Sequence, residues 1–291
     1  MSGIERRFAA LRERGEGALV VFVVAGHPDE SATDEVLLTI ADAGADIIEL
    51  GLPFSDPLAD GPVIQAASQR ALAGGVTPRR VLEIAGRFRR ARDLPLVVMT
   101  CYNPIWQFGA TDFARESAAV GVDGLIVTDL PPEESKDWVA AARANNLDTI
   151  LLLAPTSSTD RIKKVVDLAT GFVYCVSRMG VTGARAELPS DLRGLVGRIR
   201  AETAKPVVVG FGISRPEHVA EVCRLADGAV VGSAVVSLID REQGSAGLGD
   251  AVARFVRELK AATRSAPLRV TPSDGRGATA GGQPAGPGEA G

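Results

Sequence analysis

The chain has 291 residues, of which 46% are hydrophobic and 23% charged, and its formal net charge is −4. This balance is typical of a folded globular protein and excludes disorder over the whole length. Only 4% of the residues are aromatic and the charge is weakly acidic, which disfavours a nucleic-acid-binding surface. No apolar run reaches the roughly 18 residues of a membrane span, and the N-terminus lacks a signal-peptide core, so we expect a cytoplasmic protein.

Short, continuously apolar runs recur eight times, at 18–25, 45–51, 94–101, 124–130, 149–155, 171–177, 206–213 and 228–236. Such runs are typical of parallel strands that are covered on both faces. Amphipathic helical stretches alternate with them, at 34–44, 78–92, 111–121, 135–146, 160–170, 189–203, 216–226 and 250–264. This count predicts an α/β fold, a (β/α)8 TIM barrel that forms one catalytic domain over residues 1–264.

Residues 265–291 differ in composition from the rest of the chain. They hold 7 Gly and 4 Pro among 27 residues and almost no large apolar side chain. Such a segment buries too little surface to offset the entropy lost on ordering. We therefore expect a disordered tail outside the catalytic domain.

Cysteine and histidine are scarce. Cys101, Cys175 and Cys223 lie in apolar surroundings without a CxxC pair, so we interpret them as buried, reduced thiols. Only two histidines are present, His27 and His218, and we assign His27 no role beyond loop structure. A histidine-rich metal centre and a Ser-His-Asp triad are both disfavoured.

The active site of such a barrel forms at the carboxyl ends of its strands, so polar residues there are candidates for function. Glu49 stands near the carboxyl end of the second run and shares a strand face with Ala45, Ile47 and Gly51. If that face is the lumen, burial would raise the pKa of Glu49 and suit it to proton transfer. The alternative is a structural glutamate paired with a neighbouring Arg or Lys.

The connection after the second run, at 52–62, contains three prolines and is longer than most such loops. Asp56 and Asp60 project from it. Long loops at this face of a barrel often serve as lids or partner surfaces. Asp60 has an alternative role as the N-cap of a helix that begins near Pro62.

The glycine-rich segments after the last three strands indicate a phosphate site. These are 180–189, which has the composition of a mobile closing loop, GFGIS at 210–214, and the Gly-Ser pair at 232–233. Loops after the seventh and eighth strands, with a small helix beginning at Gly-Ser, form the usual phosphate site of such barrels. Backbone N–H groups there can approach an anion closely because glycine has no Cβ.

Four blocks, IELGLPFSDPLADGP at 48–62, SRMGVTG at 177–183, GFGIS at 210–214 and GSAVV at 232–236, resemble the signature blocks of the tryptophan synthase alpha chain family. The resemblance implies a carbon–carbon lyase of tryptophan biosynthesis that cleaves indole-3-glycerol phosphate to indole and glyceraldehyde 3-phosphate. It also implies a beta-chain partner, in an alpha2-beta2 heterotetramer, which uses pyridoxal phosphate to join indole to serine. No cofactor is expected in this chain.

The resemblance also assigns roles to residues. Glu49 would donate and accept the protons of the cleavage, and Asp60 would hydrogen-bond the indole N1–H. The expected substrate-binding positions are Phe22, Tyr102, Tyr174, Thr182, Gly183, Gly212, Gly232 and Ser233. Asp56 and Thr182 resemble a pair that latches the two closing loops, with Arg178 beside them.

Two other functions are weighed against this one. A sugar-phosphate isomerase or epimerase would share the barrel and the phosphate site, but it would leave Glu49, Asp60 and the loop at 52–62 unexplained. A non-catalytic regulatory subunit that activates a partner would have no need for Glu49.

Overall fold

The computed structural model of the chain describes residues 1–57, 60–176, 190–210 and 212–264. Within these ranges, no helix combines the length and the apolar composition needed to cross a membrane. The predicted tail at 265–291 lies outside the described residues.

Parallel strands form one sheet that closes into a barrel. The strands are β1 (Ala18–Val24), β2 (Ile47–Gly51), β3 (Leu96–Thr100), β4 (Gly124–Val127), β5 (Asp148–Ile150), β6 (Leu152–Leu153), β7 (Val173–Val176), β8 (Val207–Gly210) and β9 (Gly228–Val231). Their order in the sheet is β5-β4-β3-β2-β1-β9-β8-β7-β6. Only Leu151 separates β5 from β6, so the two ends of this order are halves of one strand. The eight predicted strands are present and the TIM barrel is confirmed.

Helices surround the barrel. They are α1 (Gly3–Glu13), α2 (Glu30–Asp42), α3 (Pro62–Ala73), α4 (Pro78–Ala91), α5 (Tyr102–Phe108), α6 (Ala110–Ala119), α7 (Lys136–Ala144), α8 (Thr159–Leu168), α9 (Ser190–Glu202), α10 (Pro216–Leu225), α11 (Ser233–Glu242) and α12 (Leu248–Thr263). Each predicted helix is present with shifted ends. The first predicted helix, at 34–44, is α2, and it begins four residues earlier than predicted. The Asp29 side chain accepts a hydrogen bond from Ala32 N at 2.8 Å and so caps this helix.

Helix α1 at the N-terminus was not predicted from the sequence. Helix α5 was not predicted; it begins where Tyr102 N donates to Asp129 Oδ1 at 2.7 Å, and Pro104 fits its first turn because no N–H is needed there. The apolar run at 228–236 contains both β9, which ends at Val231, and the start of α11 at Ser233, so the small helix predicted to begin at the Gly-Ser pair is present. A short apolar run does not by itself distinguish a strand from a buried helix, and this run contains part of each.

At the amino end of the barrel, carboxylates accept hydrogen bonds from the backbone at the starts of the strands. Asp46, Asp123 and Asp227 each stand directly before a strand and accept a hydrogen bond from a backbone N–H of the neighbouring strand, at Leu19, Leu96 and Val207, over 2.8–2.9 Å. These bonds satisfy N–H groups at the starts of the strands. This end supports the fold, and the opposite, carboxyl end is left for the functional site.

Candidate active site

Strand β2 places Glu49 in the barrel lumen. Glu49 pairs with Phe22 on β1 and with Val97 on β3, and its side chain is 1% exposed. Burial and, secondarily, the charge of Glu49 raise the pKa of Tyr174 on β7, a strand that is not the neighbour of β2 in the sheet. Two side chains on non-adjacent strands interact in this way when both point into the lumen.

The environment of Glu49 favours its protonated form. Burial raises its pKa to about 8, and the nearby charge of Asp60 adds to the shift. Glu49 Oε2 has no hydrogen-bond partner among the described residues, and no Lys or Arg within the described ranges forms an ion pair with it. The alternative of a salt-bridged structural glutamate therefore finds no support in the described part of the chain.

Asp60 lies at the rim of the same site, just before α3. The N-cap of α3 is Gly61 and has no side-chain capping bond, so the Asp60 carboxylate is not used as a helix cap. Gln65 Nε2 donates to the Asp60 backbone carbonyl oxygen at 2.8 Å and fixes this residue to the helix. Burial raises the pKa of Asp60 to about 6, which leaves it mostly ionised at neutral pH.

A cleft opens at the carboxyl end of the barrel. Asp60, Phe22 and Gly51 line it. Glu49 is not among the lining residues: it precedes Gly51 by two positions on the same strand face, so it lies one side-chain layer deeper. The two carboxyl groups therefore differ in depth as well as in pKa.

Several residues that line the cleft were not predicted as site residues from the sequence. Among them are Thr100, the last residue of β3, and Cys101 and Thr128, which directly follow β3 and β4. Thr100 Oγ1 is buried without a hydrogen-bond partner among the described residues, whereas Thr128 Oγ1 donates to the Thr100 carbonyl oxygen. Polar residues at strand ends, the criterion that selected Glu49, would also have selected these two threonines. All three cysteines of the chain are free and buried, as predicted.

The ring of Phe22 joins the two parts of the site. A Cβ on Gly51 would lie 2.7 Å from Cε2 and Cζ of this ring, and a Cβ on Gly232 would lie 3.3 Å from Cδ1. The absence of side chains at these glycines therefore makes room for the aromatic ring. Phe22 forms an apolar wall between the carboxyl groups and the start of α11.

The two tyrosines have different surroundings. Tyr174 is buried, and a Cβ on Gly210 would lie 2.6 Å from its Cε1 and Cζ, so its ring packs directly on that glycine. Burial raises the pKa of Tyr174 well above its ordinary value, with contributions from the charges of Glu49 and Asp60. Tyr102 is half-buried at the start of α5 and is not among the residues that line the cleft.

The predicted phosphate site is described in part. Gly232 is the N-cap of α11, and Ser233 is the first residue of that helix; both are half-buried. Gly212 is exposed and has a φ of +78°, a conformation that favours glycine. Thr182, Gly183 and Arg178 lie outside the described residues.

Asp56 is exposed and accepts a hydrogen bond from Ser55 Oγ at 2.7 Å. It stands in the connection between β2 and α3, on the same segment as Asp60. Its predicted latch partner Thr182 lies outside the described residues, so the latch stays a prediction.

Comparison with known proteins gives a consistent result. The tryptophan synthase alpha chain family profile matches residues 8–264. A tryptophan synthase alpha chain from Citrifermentans bemidjiense is 50% identical over 260 residues, covering 89% of this chain and 97% of the relative. The one from Geobacter sulfurreducens is 49% identical over 262 residues, covering 90% and 99%. A chain of Mycobacterium tuberculosis tryptophan synthase superposes with a TM-score of 0.85 at 38% identity, covering 91% of this chain and 99% of that chain.

Proposed function

The chain belongs to the tryptophan synthase alpha chain family, and from this membership we propose that Glu49 and Asp60 are the groups that perform its reaction. The protein is a carbon–carbon lyase that cleaves indole-3-glycerol phosphate to indole and glyceraldehyde 3-phosphate. The observation that supports our assignment best is the pair of carboxyl groups with separated pKa values, about 8 for Glu49 and about 6 for Asp60.

Glu49 acts as the acid and then as the base. At neutral pH it is mostly protonated, so it can donate its proton to C3 of the indole ring, which leaves the ring as a cationic electron acceptor. The resulting carboxylate takes the proton from the hydroxyl group on the adjacent carbon. A carbonyl group forms, the bond from that carbon to C3 breaks, and the bonding electrons restore the aromatic ring. One proton arrives at C3 and one leaves the hydroxyl, so no oxidant or reductant is needed.

Asp60 stabilises the charge that develops on the ring. Its carboxylate is mostly ionised at neutral pH and lies at the rim of the cleft, where it can accept a hydrogen bond from the indole N1–H. A preorganised anion beside a developing positive charge is among the strongest contributions an active site makes. Burial of Asp60 strengthens the interaction because less water screens it.

Gly232 and Ser233 bind the substrate phosphate at the start of α11. The free backbone N–H groups and the helix dipole at a helix N-terminus favour an anion. Phe22 lies between this point and Glu49, so the indole ring is held against an apolar wall. Thr182, Gly183, Gly212, Tyr102 and Tyr174 complete the proposed substrate-binding set, and Asp56 and Arg178 the proposed loop closure.

Family membership implies a beta-chain partner, and we propose an alpha2-beta2 assembly in the cytoplasm. Pyridoxal phosphate belongs to the beta chain in this family, and we propose no cofactor for the present chain, whose catalytic domain spans residues 1–264.

The partner would cover the carboxyl end of the barrel. Trp106 of α5, which follows β3 there, is 63% exposed, and the other tryptophan, Trp138, is buried. A change in Trp106 fluorescence would therefore report docking.

Indole release from indole-3-glycerol phosphate tests the function. The purified chain is assayed alone and with its cognate beta chain, and isomerisation of triose phosphates is measured in parallel. We expect indole in both assays, more of it with the partner, and no isomerisation. No detectable indole with or without the partner would contradict the proposal, and isomerisation without indole would favour the sugar-phosphate isomerase.

A further inference from the structure

Two helices at the carboxyl end each begin at one end of the proposed site. Helix α3 starts just after Asp60, and α11 starts at Ser233. The two helices pack against each other and against β1. In the proposed function, Asp60 holds the indole end of the substrate and Ser233 its phosphate end. The fit to the substrate therefore depends on how these helices are spaced.

One ion pair joins the two helices. Arg70 of α3 contacts Asp240 of α11, with side chains that are 47% and 40% exposed. No other ion pair within the described ranges links α3 to α11. At a rise of about 1.5 Å per residue, each partner lies roughly 10–12 Å from the start of its helix. The contact is thus at the same level on both helices.

The loop after β1 passes beneath this ion pair. Gly26 packs on α3, since a Cβ there would lie 3.6 Å from Ala71 Cβ. His27 is buried, with Nε2 3.9 Å from Asp240 Oδ1 and no hydrogen-bond partner for either ring nitrogen among the described residues. Burial, with the charge of Arg70, lowers the pKa of His27. Arg70 is the cationic partner of Asp240.

We propose that Arg70 and Asp240 are positioning residues that fix the spacing of α3 and α11, and with it the distance between Asp60 and the phosphate cradle. The proposal rests on the proposed function of Asp60 and Ser233. A partly exposed ion pair contributes little to the stability of a fold. Small displacements of substrate-holding groups, in contrast, reduce catalysis strongly. Loss of the pair should therefore affect activity more than stability.

Substitutions at the pair test this inference. For Arg70→Met and Asp240→Asn we expect kcat/KM for indole-3-glycerol phosphate to fall about tenfold, mainly through KM, and the dissociation constant of inorganic phosphate to rise about fivefold. The melting temperature should stay within about 2 °C of the wild type. Arg70→Lys, which keeps the charge, should retain most of the activity, and the exchange R70D/D240R should restore at least half of what Arg70→Met loses.

The matched control is Arg92→Met, which breaks the comparably exposed pair between Arg92, the residue directly after α4, and Asp42 of α2. We expect wild-type kinetics for it. Wild-type kcat/KM in Arg70→Met, an equal loss in Arg92→Met, or no recovery in the exchange variant would overturn the proposal.

A structural measurement separates this inference from the proposed function. In crystals of Arg70→Met, we expect the distance from Gly61 Cα to Ser233 Cα to differ from the wild type by more than about 1 Å. An unchanged distance would refute the positioning role of Arg70 and Asp240 even if the wild type cleaves the substrate. Absence of cleavage by the wild type would refute the proposed function. The distance between the two helix starts would then still test the positioning role of Arg70 and Asp240.

Discussion

Glu49 of β2 lies directly across the parallel ladder from Phe22 of β1. The ring of Phe22 also packs on Gly51 and on Gly232. One aromatic side chain therefore borders the buried carboxyl group, the floor of the cleft and the start of α11. The apolar ring helps to exclude water from Glu49, and this burial is the main cause of its raised pKa.

Gly51→Ala tests the importance of this packing. The added Cβ would lie 2.7 Å from two ring atoms of Phe22, so the ring must shift. We expect kcat/KM to fall about tenfold while the protein stays folded, because a displaced wall misplaces the substrate by a fraction of an ångström. The control is Gly197→Ala on α9, where a Cβ would meet nothing within 4 Å. Equal kinetics for the two variants would show that the Phe22 position is unimportant.

The pH dependence of kcat/KM follows from the two carboxyl groups. In the proposed mechanism, the active form has Asp60 ionised and Glu49 protonated. Activity should rise with pH through about 6 as Asp60 loses its proton, and fall above about 8 as Glu49 loses its own. Because the groups interact, the two apparent values belong to the pair. Indole formation measured from pH 5 to 9.5 checks this, and a rate that keeps rising above pH 8 would contradict the acid role of Glu49.

Asp60→Asn should lower kcat/KM, because an amide cannot balance the positive charge of the ring. The expected loss of transition-state stabilisation is about 2–4 kcal/mol. The variant should also lose that part of the fall in kcat/KM at low pH that is caused by protonation of Asp60. The substrate phosphate also titrates near pH 6. Any fall in kcat/KM at low pH that remains in the variant therefore measures the contribution of the phosphate. A loss of less than about tenfold would make the N1–H role untenable.

Lys260→Met should reduce stability without reducing activity. Lys260 Nζ lies 2.8 Å from Asp46 Oδ2 and 3.1 Å from Glu16 Oε2, at the amino end of the barrel. Removing one partner of a buried ion pair costs about 3 kcal/mol, which lowers the melting temperature by roughly 6–12 °C in a domain of this size. Arg115→Met, in an exposed pair with Asp112, should leave the melting temperature close to that of the wild type. Similar melting temperatures for both variants would show that Lys260 is not important for the fold.

The barrel itself followed from the sequence because continuously apolar runs have one common structural cause, burial of a parallel strand on both faces. Glu49 stood out because a charged residue in such a run is costly unless it is used. Its depth below the cleft did not follow, since depth depends on how the Phe22 ring packs on Gly51. Nor did the contact of Arg70 with Asp240, which are 170 residues apart and come together only through the closure of the barrel.

Glu49→Gln should stabilise the fold, and this provides the control for its effect on activity. A buried carboxyl group whose pKa rises from 4.5 to about 8 binds its proton more tightly in the folded state. The wild type therefore loses stability as the pH rises between these values, and neutral Gln does not. The gain in melting temperature should be larger at pH 9 than at pH 5. An equal gain at both pH values would mean that Glu49 does not titrate as described.

The most direct test of the account is single-turnover cleavage of indole-3-glycerol phosphate by Glu49→Gln, with substrate binding measured on the same preparation. If Glu49 moves both protons, the variant binds substrate with near wild-type affinity and forms indole at least about 1,000-fold more slowly. Indole formation at a rate close to that of the wild type would contradict the account.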